Sequence, residues 1–190
     1  SCGSAFAFGL NDGIRESVSR GAVSDKLRDA LTNYPLSRMG ILLGTHDSYA
    51  GERRIEAFAG DEQRYRLAAA TLLTLPGQPF LYYGEEVGMG HSAGNSGDWG
   101  LRAPMSWQPD GGFTTGKPFR APAANLTTHN AAQQQANPGS LWHFYHHWIT
   151  LRQQHSALRL GEMTLLQSDQ LLAFTRQSKD EKLLVAINYS

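Results

Sequence analysis

The chain has 190 residues, 17 Lys+Arg against 17 Asp+Glu, a formal net charge of zero, one Cys and 41% hydrophobic residues. That hydrophobic share excludes a disordered tail. The absent basic surplus argues against a nucleic-acid binder. One cysteine excludes an internal disulfide and any zinc site built from several cysteines. No apolar run reaches the ~18 residues of a membrane span.

The chain opens at Ser1 without a signal-peptide pattern and stops at Ser190, directly after a strand-like run from Leu183 to Tyr189. These ends suggest a piece of a longer protein. Ser24 and Asp25 suit a helix start, and Val23, Leu27, Ala30, Leu31 and Tyr34 recur at helical spacing up to Pro35. Met39 to Leu43 is a short apolar run, the pattern of a strand buried on both faces. A polar loop runs from Asp47 to about Gly60. Asp61 then caps a helix whose face carries Tyr65, Ala68, Ala69, Leu72 and Leu73, stopped by Pro76-Gly77. Pro79 to Tyr83 is a second buried strand, and a long loop rich in Gly, Pro, Asn and Ser reaches from Gly84 to about Ala136. Loops of that length in compact domains are usually functional.

Asn137-Pro138 predicts the start of a third helix, with Leu141, Phe144, Tyr145, Trp148, Ile149 and Arg152 inward and Gly161 as its stop. The period then changes. Met163 to Leu166, Leu171 to Thr175 and Leu183 to Tyr189 read as strands, with turns at Ser168-Asp169 and Lys179-Asp180. The order predicts a parallel α/β unit over residues 1–160 and the start of an antiparallel all-β domain over 161–190.

Several residues could carry chemistry. His46-Asp47 follows the strand Met39 to Leu43, and functional loops of parallel α/β folds leave the carboxyl ends of strands. Arg53 and Arg54 add guanidinium groups to the same loop. Glu85-Glu86 follows the second strand. The pair could raise a pKa or bind a cation, or could be a solvated loop or a buried ion pair with an arginine. On the residues alone the structural role is preferred. His143, His146 and His147 have a metal-like spacing, but no Glu follows the first His, and they lie opposite the apolar stripe as a solvated face. His155 is expected to be packed. Asn125-Leu126-Thr127 matches a glycosylation sequon, a match common by chance. Trp99, Trp107, Phe113 and Phe119 could stack on sugars or pin the long loop by packing.

Three ordered segments carry a resemblance. They are Leu42-Leu43-Gly44-Thr45-His46-Asp47, then Leu72 to Met89 (LLTLPGQPFLYYGEEVGM), then Leu101-Arg102-Ala103-Pro104-Met105-Ser106-Trp107. Together with Asn137 to Leu141 and Leu151-Arg152, they resemble the carboxyl-terminal half of an α-amylase-family glycoside hydrolase. The resemblance implies an α/β fold, the last part of a (β/α)8 TIM barrel followed by part of an antiparallel β-sandwich domain. Met39 to Thr45 would be the seventh barrel strand, Pro79 to Tyr83 the eighth, Ser4 to Leu10 the end of the sixth strand region, and Leu141 to His155 the last barrel helix.

The family uses a retaining mechanism with three acidic residues. Asp47 matches the third, which binds hydroxyls of the reacting ring and favours its distorted form. His46 matches its sugar-binding neighbour, and Thr45 replaces the usual Asn. Arg53 or Arg54 matches an arginine that lines the glycone end. Tyr83, Glu85 and Arg102, inside the matching segments, are further substrate-binding candidates. The nucleophile Asp and acid/base Glu would precede residue 1, so these residues alone are expected to be inactive. No metal or cofactor is implied in this segment; calcium enters only as an option for the full-length parent. The implied partners are an α-glucan or oligosaccharide and the missing amino-terminal part of the same chain. Starch or maltodextrin hydrolysis is the first expectation. A transglycosidase of the same family, of glucanotransferase or sucrose- or trehalose-type, is the alternative. A non-catalytic member is the third, and retention of His46-Asp47 argues against it. The compartment stays open, since a signal peptide would precede Ser1.

Overall fold

A computed structural model describes residues 4–168 and 170–190. In chain order the elements are β1 (Ala5–Phe6), α1 (Phe8–Arg20), α2 (Asp25–Asn33), β2 (Met39–Leu42), α3 (Arg54–Ala57), α4 (Glu62–Thr74), β3 (Gln78–Phe80), α5 (Gly97–Leu101), α6 (Ala131–Ala136), α7 (Leu141–Gln154), α8 (Ser156–Leu160), β4 (Glu162–Leu166), β5 (Leu171–Gln177) and β6 (Lys182–Asn188). They fall into two compact units. The first holds residues 1–42, 67–80 and 147–190; the second holds 43–66 and 81–146.

In the first unit, β1, β2 and β3 form a parallel sheet in that order, with helices between successive strands. Parallel neighbours require such crossovers. Gly40 of β2 is needed because Phe6 and Phe80 close over it. A Cβ there would lie 2.8 Å from Phe6 Cδ1 and 3.1 Å from Phe80 Cε2. The two rings meet edge to face at 5.0 Å. Contrary to expectation, β3 is not buried on both faces, and Phe80 is half-exposed. It pairs with β2 on one side only among the described residues, so its outer edge lacks a covering strand.

The segment Ser4 to Leu10, expected as the end of one strand region, is divided between a strand and a helix. Strand geometry ends at Phe6, and Phe8 already starts a helix of 13 residues. That helix buries Leu10, Ile14 and Val18 at the i, i+4, i+8 spacing. It crosses α2 closely at Gly13, where a Cβ would sit 2.6 Å from the backbone of Leu27. Ser24 caps α2 through Leu27 N–H at 3.2 Å, as its sequence suggests.

The antiparallel sheet β4-β5-β6 follows α8. Leu172, Phe174 and Arg176 alternate inward along β5. Of the predicted turn Ser168-Asp169, Asp169 lies outside the described residues, while Ser168 Oγ accepts from Leu171 N–H at 3.1 Å. Glu181, in the turn before β6, accepts the Ala157 N–H at 2.9 Å and pairs with His155 Nδ1. These contacts hold its carboxyl below the usual carboxylate range.

Two buried guanidinium groups hold the carboxyl end of α4 in this unit. The last carbonyls of a helix have no intrahelical donor and carry the negative end of its dipole. Arg152 Nη1 donates to Leu73 O and Leu75 O at 2.8 and 2.9 Å, and its Nη2 to Gly77 O at 2.7 Å. Arg176 Nη1 donates to Thr74 O at 2.6 Å, and its Nε and Nη2 to Gly161 O at 3.2 and 3.0 Å. Neither forms an ion pair among the described residues. Burial pushes both down to about 10, for Arg176 with help from the charge of Arg152, so both stay cationic at neutral pH.

The second unit packs Val87, Met89, Ala103, Ala123 and Ala131 into one cluster, with Met105 and Trp142 against it. The loop predicted from Gly84 to Ala136 is more ordered than its composition suggests. It contains α5 and α6, and Asn130 caps α6 through Gln133 N–H at 3.1 Å. Asn125, the sequon residue, donates to Gly88 O and accepts from Gly90 N–H, both at 2.9 Å. The helix expected to start at Asn137-Pro138 begins at Leu141. Asn137 Oδ1 instead closes a turn on Gly139 N–H, and Ser140 Oγ accepts from His143 N–H.

Arg176→Met keeps the apolar stem but leaves Thr74 O and Gly161 O without their donor. It is expected to lower the unfolding free energy in urea by about 2–4 kcal/mol. The exposed Arg159→Met should change it by less than ~0.5 kcal/mol. Equal effects would refute the clamp.

Candidate functional site

The chain leaves β2 at Leu42 and enters the second unit with Gly44-Thr45-His46-Asp47. Thr45 Oγ1 accepts the Asp47 N–H at 3.1 Å, a local turn that sets the direction of the Asp47 side chain. His46 Nε2 lies 3.2 Å from Asp47 Oδ1, and Arg102 Nη2 lies 2.8 Å from the same oxygen. Arg102 Nε also donates to His46 O at 3.0 Å. Both side-chain contacts of Asp47 fall on Oδ1, and Oδ2 has no partner among the described residues. The Asp47 side chain is 51% exposed. The result is an oriented carboxylate with one oxygen open to a ligand.

Arg102 is shared. Its Nη2 also meets Asp98 Oδ2 at 3.0 Å, and Asp98 Oδ1 accepts Ser48 N–H and Oγ at 2.8 and 2.7 Å. The Ser48 hydrogen bonds, then the charge of Arg102, hold the Asp98 carboxyl below its ordinary range. Asp98 and Ser48 were not singled out from the sequence. The signal was present: Asp98 stands four residues before Arg102, the spacing of a helical ion pair.

Arg53 and Arg54 are placed differently from the open pair His46 and Asp47. Both are buried. Arg53 Nη1 donates to Tyr83 O at 2.5 Å and Nη2 to Leu101 O at 2.7 Å, and its guanidinium lies over Tyr82 and Tyr83 at 4.4 and 4.9 Å. Arg54 Nη2 donates to Ala50 O and Glu52 O. Their N–H groups thus fasten backbone. Tyr83 is partly exposed, and its hydroxyl donates to Ala103 O at 2.6 Å.

Glu85 is buried, at 3% exposure. Its Oε2 accepts Tyr82 N–H at 3.3 Å, and its backbone carbonyl accepts Tyr65 Oη–H at 3.0 Å. Burial pushes its carboxyl up to about 8, against the opposing charges of Arg54 and Arg53. Glu86 is raised too, again first by burial.

His146 and His147 are exposed on α7. His146 stacks on Trp142 at 5.3 Å, and His143 Nε2 lies 3.0 Å from Gln135 O. Among the described residues, no group of three or more His, Cys, Asp or Glu is placed to hold a metal ion. Among the described residues, no helix is long and apolar enough to cross a membrane.

Comparison with known proteins bears on this arrangement. The α-amylase catalytic-domain profile matches residues 22–161, and the chain belongs to this family. A trehalose synthase of Thermus thermophilus is 35% identical over 150 residues, covering 73% of this chain and 16% of that protein. α-Amylase 3 of Dictyoglomus thermophilum is 32% identical over 152 residues, 78% of this chain and 29% of the relative. Among solved structures, an isomaltulose synthase of Erwinia rhapontici NX5 in complex with sucrose matches with a TM-score of 0.74 at 22% identity, over 98% of this chain and 42% of the other. Trehalulose synthase MutB from Pseudomonas mesoacidophila MX-45 gives 0.70 at 24% identity, over 95% and 38%. The fold is thus the last part of a (β/α)8 barrel followed by part of an antiparallel β domain. The chain spans well under half the length of these relatives.

The raised Glu85 carboxyl has a signed consequence. The folded chain keeps this proton up to about pH 8, whereas the unfolded chain releases it near 4.5. The native state binds more protons across that window, so stability falls as pH rises through it. Glu85→Gln removes the effect and keeps an acceptor for Tyr82 N–H. In urea unfolding, the stability of wild type relative to this variant is expected to decline between about pH 5 and about pH 8. A constant difference would refute the burial effect.

Proposed function

We propose that these residues belong to a retaining enzyme that acts on α-glucosidic bonds of starch, maltodextrins or related α-glucans, with Asp47 stabilising the transition state. The observation that carries this is the oriented, half-open Asp47 carboxylate, with Oδ1 fixed by His46 and Arg102 and Oδ2 open. Glycoside cleavage passes through an oxocarbenium-like state, in which hydrogen bonds to the ring hydroxyls strengthen. An acceptor oxygen held rigidly against the reacting ring performs that task, and His46 adds a donor at the same edge. Arg102 keeps the carboxylate aimed. Arg53, Arg54 and Glu85 act beneath it, shaping the loop, and Tyr83 lies at the exposed border.

In this proposal residues 1–160 are the carboxyl-terminal portion of the catalytic barrel and 161–190 the start of the all-β domain. The nucleophile and the acid/base come from a preceding part of the same protein, and the 190 residues by themselves turn over no substrate. Calcium enters only as an option for the full-length parent, and no step of this proposal runs through it.

Asp47→Asn in the full-length enzyme is expected to lower turnover at least ~10²-fold, since it weakens hydrogen bonds made mainly in the transition state. Unchanged turnover would sink the assignment. The second reading is a transglycosidase, favoured by the 35% identity to a trehalose synthase. Product analysis on maltose separates the two. The hydrolase is expected to release free glucose; accumulation of isomerised or longer saccharides with little glucose would establish transfer instead.

A further inference from the structure

The segment that carries Asp47 is wrapped against a buried cation. Arg54 is 1% exposed. A Cβ on Gly44 would stand 3.8 Å from Arg54 Nε, and one on Gly51 would stand 2.9 Å from Arg54 Nη2. The guanidinium therefore lies close to both ends of the stretch 44–51, with Asp47 between them. Its Nη2 also donates to Ala50 O and Glu52 O. Ala50 N–H in turn donates to Asp47 O at 3.0 Å, and Gly51 N–H to Ser48 O at 2.9 Å. The backbone of Asp47 is thus tied to Arg54 through the single residue Ala50.

A buried carboxyl shares this space. Glu85 Oε1 would lie 3.0 Å from the same Cβ on Gly44, so Glu85 and Arg54 meet beneath the residue that opens the loop. The other groups facing Glu85 are Arg53 from α3, Glu86 from its own turn, and the hydroxyls of Tyr65 from α4 and Tyr145 from α7. Burial holds both tyrosine hydroxyls well above their ordinary range, so they stay neutral where Glu85 changes charge. That change falls near pH 8. A hydrogen bond to an ionised carboxylate is about twice as strong as one to a neutral carbonyl. A buried carboxylate left unpaired is costly. Ionised Glu85 therefore competes with Ala50 O and Glu52 O for one guanidinium, and protonated Glu85 does so far less.

We infer that Glu85 is a positioning residue for Asp47: protonated, it leaves Arg54 on the loop carbonyls; ionised, it draws the guanidinium away from them and loosens the loop. The carboxyl touches no substrate in this role. It acts through Arg54 and Ala50 on the direction of the Asp47 carboxylate. The consequence for catalysis rests on the proposed α-glucosidic function.

The test uses the full-length enzyme and α-glucosyl fluoride. Fluoride leaves without a proton, so the acid/base residue does not impose its own alkaline limb on the first step. In wild type, kcat/KM is expected to fall about tenfold from about pH 7 to about pH 9. In Glu85→Gln, which cannot ionise, it is expected to change less than about twofold over the same range. Glu86→Gln is expected to keep the wild-type fall. An equal fall in Glu85→Gln, or a flat wild-type profile, overturns the inference. Hydrogen exchange on the wild type needs no variant and decides the matter if Glu85→Gln does not fold. After correction for intrinsic exchange, protection of the amides of residues 44–52 is expected to drop at least about fivefold across this range, with β5 unchanged. Constant protection of 44–52 overturns the inference as well. A wild-type enzyme that releases no fluoride at any pH refutes the underlying function separately, while exchange still decides whether Glu85 controls the loop.

Discussion

Buried guanidinium groups paired with backbone carbonyls are the constraint on which both units depend. Arg152 and Arg176 close the carboxyl end of α4 in the first. Arg53 joins Tyr83 O to Leu101 O in the second, and Arg54 fastens Ala50 O and Glu52 O. A planar donor fork suits this task, because one side chain reaches two or three carbonyls from different segments. Carbonyls also desolvate at less cost than carboxylates. The irregular stretches of both units would otherwise leave buried acceptors unpaired. Each arginine turns a loop or helix end into a fixed support.

That support explains how an open carboxylate can be rigid. Asp47 is half-exposed, and exposed side chains ordinarily sample several rotamers. Here Thr45 sets the local backbone, and Arg102 holds Oδ1 while itself held by Asp98. Asp98 is in turn fixed by the Ser48 backbone, the residue after Asp47. The circuit closes on itself within a few residues. Its members are surface groups, so their individual contributions to stability are small. Their effect lies in direction rather than in binding the fold together.

Different parts of the molecule were legible in the sequence for different reasons. The strand Met39 to Leu42 and the three tail strands were plain, because short apolar runs and period-two alternation are local signatures of extended backbone, whether the strand is buried like β2 or largely exposed like β4 and β6. Helix α1 was obscured by Gly9, Asn11, Asp12 and Gly13, poor helix formers by local propensity. Gly13 is there because Leu27 passes against it, a tertiary requirement that overrides propensity. The long loop looked structureless because Gly, Pro and Asn dominate it. Its order comes from side chains such as Asn125 that bond backbone from distant positions.

The sequence by itself determined the family, the strand-end placement of His46-Asp47 and the change of period near residue 160, since each rests on neighbouring residues in fixed order. The balanced charge and single Cys narrow the class and do no more. Only the tertiary structure decided which charged residues face outward. Arg53 and Arg54 stand six and seven positions after Asp47 and resemble ligand contacts in the string, yet they are buried on carbonyls. Arg102, 55 residues away, is the one that reaches the carboxylate. Spacing along a chain fixes local geometry, but the direction of a charged side chain is set by which distant carbonyls and carboxylates the fold brings to it.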